Sequence, residues 1–538
     1  MKNTLKFLLI TLLIVSCKTE KRETTIAEVS KETLGKHIEV LASDDFQGRM
    51  PFTEGGQKTT NYLEQEFKKL GLQPGNGDSY FQDVPMVEID ATPSEKMNIS
   101  GNNQKFDLDL LKDFVVTTSK TDAEVSLENS ELVFAGFGIV APEYGWDDYA
   151  GIDWKGKTAV VLVNDPGFES GDKSLFKGNE MTYYGRWTYK FEEAARQGAA
   201  GILIIHDIKP ASYGWNVVQS GWSGAHLTLE SDTPKVDVAG WISNETATKL
   251  FESSEIKNKN FNELAKSKGF KAMSFELNAS VKITNKIKRD QSKNVVALLP
   301  GTTQKDEYII YSAHWDHLGV GRAINNDSIY NGAVDNASGT AALLAIAEAF
   351  KNSPQQKRSI ILLAVTAEEQ GLLGSAYYSE HPIYEPKKTV ANINMDAFNS
   401  PGRMKDLTIT GFGHSEMDEY GKVAAEAQGR YVIPDPSPEK GYFFRSDHFN
   451  FAKIGIPPIY AQGEYEGFNI SVDSIKVLND DYSKNRYHQP SDEYVPGVTN
   501  LSGMQLDVQL LFNIGYRLSN ESYFPKWYDT SEFKAARK

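Results

Sequence analysis

From Asn294 onward, short apolar runs alternate with amphipathic stretches, and this alternation leaves the chain few folds to choose from. Residues 307–313, 358–366, 390–395, 407–410 and 456–461 read as strands. Between and after them, 337–350 carries Leu343, Ile346, Ala347 and Phe350 at helical spacing, and 372–378, 415–428 and 501–518 also read as helices. Strand–helix alternation of this kind builds a mostly parallel, mixed sheet with helices on both faces. The expected fold class is α/β.

In such a sheet, ligands bind beyond the carboxyl ends of the strands. Residues able to hold a metal stand at those ends. His314 follows strand 307–313, Glu368 and Glu369 follow 358–366, and Asp396 follows 390–395. Asp335 lies in the loop 331–336 just before a helix, and His488 lies in the polar loop 487–492. Taken singly, each is as ordinary as a helix cap or a hydrogen-bonded loop residue. Together, two histidines and three carboxylates suffice for two zinc ions if one carboxylate bridges. Each ion then has three protein ligands and a position left for water. Asp316, two residues after His314, is in reach of the ring nitrogen that a ligating histidine needs hydrogen-bonded. The neighbouring Glu368 and Glu369 repel each other unless a cation or a shared proton offsets the cost. One of them can bind metal while the other moves a proton.

At 538 residues the chain is too long for one ordinary core. Forty per cent hydrophobic and 24% charged residues are globular values. A net charge of -15 repels phosphate backbones, so no nucleic-acid partner is expected. Residues 123–278 differ in texture. They hold strands at 131–140, 158–164 and 201–206 and a helix at 190–197, with no dense cluster of ligand-type residues. This block reads as an inserted domain. It divides a chemistry-bearing domain into a first part, 30–122, with a helix at 57–70, and a main part, 279–538.

The N-terminus adds an address. Lys2 and Lys6 flank the start of an apolar run, 7–15, followed by Ser16 and Cys17. This is the pattern of a secretory signal, too short to span a bilayer comfortably. Residues 18–29 are polar and read as a tether. Cys17 is the only cysteine, so intrachain disulfides are excluded and metal ligands must be His, Asp or Glu.

Several of these stretches resemble known patterns. Residues 13–17, Leu-Ile-Val-Ser-Cys, resemble the bacterial lipobox. That implies an exported protein of the bacterial cell envelope, anchored by lipid on Cys17, at the outer membrane. Residues 312–317 (SAHWDH), 331–339 (NGAVDNASG), 366–375 (TAEEQGLLGS), 394–396 (NMD), 445–448 (RSDH) and 487–488 (YH) resemble, in that order, the co-catalytic di-zinc aminopeptidases. Residues 41–49 (LASDDFQGR) resemble the start of the same catalytic domain. Glutamate carboxypeptidase and the transferrin receptor are distant relatives of that group. The resemblance implies one zinc on His314 and Asp396, a second on Glu369 and His488, and Asp335 bridging both. It implies Glu368 as general base, Asp316 as support for His314, Tyr487 as stabiliser of the oxyanion and Arg445 in substrate binding. The substrate implied is a peptide with a free N-terminus. Residues 133–139, 155–161 and 194–202 make the insert resemble a protease-associated domain. His317 and His448 fall near the pattern but outside its ligands and read as supports of the ligands or as structural.

Three rival readings stay open. A carboxypeptidase of the glutamate carboxypeptidase type would need a cationic cluster for the substrate carboxylate, and the sequence offers none beyond Arg445. A glutaminyl cyclase would not be expected to carry the large insert. A non-catalytic binding module would be expected to lose ligands, and this chain keeps every one.

Overall fold

The computed structural model describes residues 25–254, 256 and 260–537. The signal and lipobox at 1–17, and the tether as far as residue 24, lie outside the described residues. The end of the tether is already packed on the body. Ala27 N–H donates to Ser353 Oγ, and Val29 is fully buried between Gln505 and Gln509.

The main unit is an α/β sheet as expected. Strand Gln304–His314 runs parallel to Arg358–Val365 on one side and to Thr389–Asn394 on the other. Thr389–Asn394 is parallel to Pro458–Gln462, whose antiparallel neighbour Asp406–Ile409 is parallel in turn to Tyr431–Pro434. Antiparallel pairing of Met273–Leu299 with Arg358–Val365 makes the sheet mixed. Strands buried on both faces read as continuous apolar runs, and the two faces separate by alternation. Ile309, Tyr311, Ala313, Ile360, Leu362 and Ala364 enter a large core with helices Lys31–Leu41, Glu54–Lys69, Gly339–Asn352 and Ser502–Asn520. Ile310, Ile361, Leu363 and Val365 point the other way, against Tyr378 and Phe451 of helices Leu373–Glu380 and His448–Lys453. Among the described residues, no helix is long and apolar enough to cross a membrane.

Helix Gly339–Asn352 starts later than the expected 337. The preceding residues, Ala333–Ser338, form an irregular turn that Gly332 enters at φ +54°. A Cβ at Gly332 would meet the Asp335 carbonyl oxygen at 2.1 Å and the His317 ring at 2.5 Å, so only glycine fits.

The second unit is larger than the expected 123–278. Its apolar core already includes Met97, Ile99, Leu108 and Phe114, and it runs on to Ile283. Strand Phe114–Thr117 pairs antiparallel with Val238–Ser243 at the end of that unit's run of strands Glu124–Phe134, Thr158–Leu162, Gly201–His206 and Val238–Ser243. The change of texture near 123 marked the start of strand Glu124–Phe134 rather than the unit's edge. A ribbon joins the units: Phe81–Pro93 pairs residue by residue with 283–295 of the 27-residue strand Met273–Leu299, and Ala225–Leu229 adds a third strand along residues 86–90. A second contact is a small aromatic core in which Met181 packs with Phe443, Phe444, Phe449 and Trp527. The ion pair between Lys177 and Glu532, at 3.0 Å, flanks it.

Candidate metal centre

The centre is assembled from the carboxyl ends of three parallel strands and two loops. His314 ends strand Gln304–His314, Glu368 and Glu369 follow Arg358–Val365, and Asp396 follows Thr389–Asn394. His314 Nε2 lies 3.3 Å from Asp335 Oδ1 and 3.2 Å from Asp396 Oδ1. On the other side, His488 Nε2 lies 3.2 Å from Asp335 Oδ2 and 3.1 Å from Glu369 Oε2. Asp335 therefore turns one oxygen to each of two imidazole–carboxylate pairs. All five residues given as ligands from sequence come together. His314 is 1% exposed, whereas the His488 side chain is 34% exposed, so the site opens on the His488 side.

The electrostatics fit a bound cation. Burial opposes charge on His314, yet Glu368 and Asp396 outweigh it and hold the ring well above its ordinary pKa. His488 is raised to about 10, burial being outweighed by Asp335 and Glu369. Asp335 is held well below the carboxylate range by the two imidazoles, against the cost of burial. His488 Nε2 is shielded from solvent but makes no hydrogen bond of good geometry to the oxygens facing it, as a ligand atom would be left. A nitrogen and carboxylate donor set of this kind suits zinc.

Glu368 is buried among carboxylates, 3.9 Å from His314 Nε2. Burial, with Asp396 and Glu369 nearby, pushes its pKa well above the usual range despite His314. Asp316 differs in detail from its sequence expectation. Its carboxylate is 3.8 Å from His314 Nδ1, which instead faces the Asp316 main-chain oxygen at 3.2 Å. The carboxylate accepts hydrogen bonds from the Glu368 and Glu369 amides at 3.0 and 3.3 Å, so it fixes the glutamate loop to the histidine loop. The Tyr487 ring stacks on His488, with centroids 3.9 Å apart, and is 46% exposed at the mouth. Arg445 is outside the cluster. It donates to the Lys440 carbonyl at 2.6 Å, while the next residue, Ser446, donates to Asp396 Oδ2 at 2.5 Å.

Three contributors escaped the sequence reading. His317, read as a support or as structural but not as a ligand, has Nδ1 2.6 Å from Glu369 Oε1 and is itself placed to join Asp335 and Glu369 around an ion. The His-x-x-His spacing of 314 and 317 was the available signal. Asp492 is fully buried and accepts from the Val334 and Asp335 amides, each at 3.1 Å, tying the His488 loop to the Asp335 loop. Arg49 is also fully buried and donates to four carbonyls: Trp315 at 2.9 Å, Leu41 at 2.7 Å, Asn331 at 2.6 Å and Gly332 at 2.8 Å. Burial draws its pKa down to about 10, opposed by Asp316, Asp335, Asp492 and Glu369.

Arg49 joins the His314 loop to the Asp335 loop, so its removal should loosen both. Arg49→Met takes a donor from four buried carbonyls, of which Gly332 keeps the Ala337 amide, and should cost about 3 kcal/mol or more. Arg49→Lys should restore little, because an ammonium cannot reproduce the planar fork. Unfolding midpoints and zinc titration read both effects. Wild-type values for Arg49→Met would refute the tether.

Comparisons with known proteins bear on this geometry. Residues 294–501 match the model of peptidase family M28. The aminopeptidase NAALADL1 of Mus musculus is 35% identical over 131 residues, which cover 23% of this chain and 16% of that protein. The probable lipoprotein aminopeptidase LpqL of Mycobacterium tuberculosis is 27% identical over 213 residues, covering 36% of this chain and 39% of LpqL. The chain therefore spans well under half the length of these curated relatives. The solved aminopeptidase from Aneurinibacillus sp. strain AM-1 is similar in fold, with a TM-score of 0.50 at 19% identity, over 92% of this chain and 96% of that one. The stretch matched by the family model holds His314, Asp335, Glu369, Asp396 and His488.

Proposed function

We propose that this chain is a zinc-dependent aminopeptidase with two zinc ions. One ion would sit between His314, Asp396 and Asp335, the other between Glu369, His488 and Asp335. The observation that carries this reading is the orientation of Asp335, one oxygen toward each imidazole–carboxylate pair. Aminopeptidase activity, rather than another hydrolysis, is supported by the relatives in the family, two of which bear that name. When bound, the ions would polarise the scissile carbonyl and acidify the attacking water. Glu368, whose raised pKa suits proton exchange, takes the proton from that water and passes it to the leaving amine. Asp316 keeps Glu368 in place through its amide. Tyr487, at the mouth, donates to the carbonyl oxygen as negative charge develops there. The second unit, read as a protease-associated domain, shapes access.

Free and N-acetylated aminoacyl and dipeptide substrates, with and without chelator, test the reading. Cleavage should require a free amine, vanish with chelator and return with zinc. Release of the C-terminal residue from N-acetylated dipeptides alone would make it a carboxypeptidase.

The adjacent glutamates have separate roles and should fail separately. Glu368→Gln should keep close to two zincs per chain while kcat falls by about two to four orders of magnitude. Glu369→Ala should lose zinc as well as activity. Elemental analysis beside kinetics decides. A Glu368→Gln enzyme that turns over near the wild-type rate with both metals bound would mean the base is another residue.

Lipid on Cys17 would place the enzyme at the bacterial outer membrane, a reading supported by the lipobox pattern and by the lipoprotein name of LpqL. Cys17→Ser should then move the protein out of the membrane fraction or block its processing. Unchanged partitioning with normal processing would exclude the anchor.

A further inference from the structure

A cavity of about 700 Å³ lies between the second unit and the peptidase domain. Arg186, Trp187, Trp222 and Trp241 line it from the second unit, and Gln370 and Arg445 from the peptidase domain. Chain neighbours link it to the metal centre. Gln370 follows Glu369, and Arg445 precedes Ser446, which is hydrogen-bonded to Asp396.

The two arginines are unusual in what they lack. Nε of Arg186 and Nε of Arg445 are both shielded from solvent without a hydrogen-bond partner. Arg186 has only the Trp187 ring beside its guanidinium, 5.4 Å away. Arg445 has one carbonyl, that of Lys440, and the Tyr442 ring at 5.1 Å. Arg186 is drawn down to about 10 by burial and then by the charge of Arg445. Of the acids on the cavity wall, Glu192 is within 4.0 Å of Arg196 and of Lys453. Two guanidinium groups sharing an aromatic cavity, neither paired with a carboxylate among the described residues, are costly unless an anion arrives. A guanidinium takes a carboxylate in two parallel hydrogen bonds, and the cavity has room for a residue or two of peptide.

We propose that Arg186 and Arg445 form a carboxylate subsite for the part of the substrate beyond the scissile bond, so that short peptides are selected by their negative end. The inference rests on the aminopeptidase reading and deepens it. The carboxylate could be the C-terminus of a di- or tripeptide or an Asp or Glu side chain. Either offers the same two oxygens.

The zinc-loaded full chain is assayed on an aminoacyl p-nitroanilide, which carries no carboxylate. It is then assayed on X-Phe, X-Phe-amide and X-Glu-amide, X being the N-terminal residue accepted in the anilide. The free acid X-Phe should exceed X-Phe-amide in kcat/KM by about 10-fold or more, mainly through KM. A gain by X-Glu-amide over X-Phe-amide would identify the side chain as the anion read. Arg186→Gln and Arg445→Gln should each bring these ratios toward one, and Arg186→Lys should keep part of the preference. Unfolding midpoints confirm that the variants fold. Equal rates on all three peptides by an enzyme that cleaves the anilide overturn the subsite and leave the peptidase standing. So does an unchanged ratio in folded Arg186→Gln. Failure on every free-amine substrate overturns the peptidase reading and the subsite with it.

Discussion

The structure is organised around a concentration of buried negative charge. Asp316, Asp335, Glu369, Asp396, Asp447 and Asp492 are buried or nearly so in one place, with Glu368 only slightly more exposed. Carboxylates this close to one another in a low-dielectric interior cannot all ionise without compensation. Three kinds of compensation are built in. Main-chain amides of Glu368, Glu369, Val334 and Asp335 point at Asp316 and Asp492. Arg49 puts a permanent cation beneath the cluster. The imidazoles of His314 and His488 are drawn toward their charged forms. A residual demand for positive charge persists between Asp335, Glu369 and Asp396, which a bound cation would meet.

The same compensation separates two otherwise identical groups. Glu369 is lowered in pKa: the cost of burial and of Asp335 nearby is outweighed by His317 and His488. Glu368, one residue earlier, has no such partner in contact and is raised. Environment alone pushes the two glutamates apart, one toward a permanent anion and the other toward a group that can carry a proton. Adjacent acid and base assignments of this kind follow from unequal surroundings, not from residue type.

How much of this could be read from sequence depends on the distance over which each feature is encoded. Strands Arg358–Val365 and Thr389–Asn394 were legible because strands buried on both faces are unbroken apolar runs, and the ligands just past their ends came with them. The strand Met273–Leu299 was not. Its middle, residues 286–291, is exposed as it crosses between the two cores and is rich in Lys, Arg and Asp, so it has no apolar signal where it is most extended. The second unit's front edge was missed for a related reason, since Met97, Ile99 and Leu108 sit in short strands with polar faces. Arg49 stood inside a stretch that resembled the domain's start, but its targets are 8, 266, 282 and 283 residues away, beyond any local pattern. Arg186 lay in a block without ligand-type clusters, and only folding brings it beside Arg445.

That last juxtaposition depends on how the second unit is attached. A lone flexible linker would leave a wall residue such as Arg186 free to wander relative to the metal centre. Here the attachment is a hydrogen-bonded ribbon, Phe81–Pro93 against 283–295, whose end is continuous with the sheet through pairing of 295–299 with strand Arg358–Val365. The aromatic contact of Met181 with Phe443, Phe444 and Phe449 clamps the same seam from the opposite end of the sequence, one residue from Arg445. Strand Arg358–Val365 also delivers Glu368 and Glu369 to the centre, so the second unit and these two glutamates are registered on one strand. A wall held this way can take part in substrate discrimination, because its geometry relative to the reacting bond is set before substrate arrives.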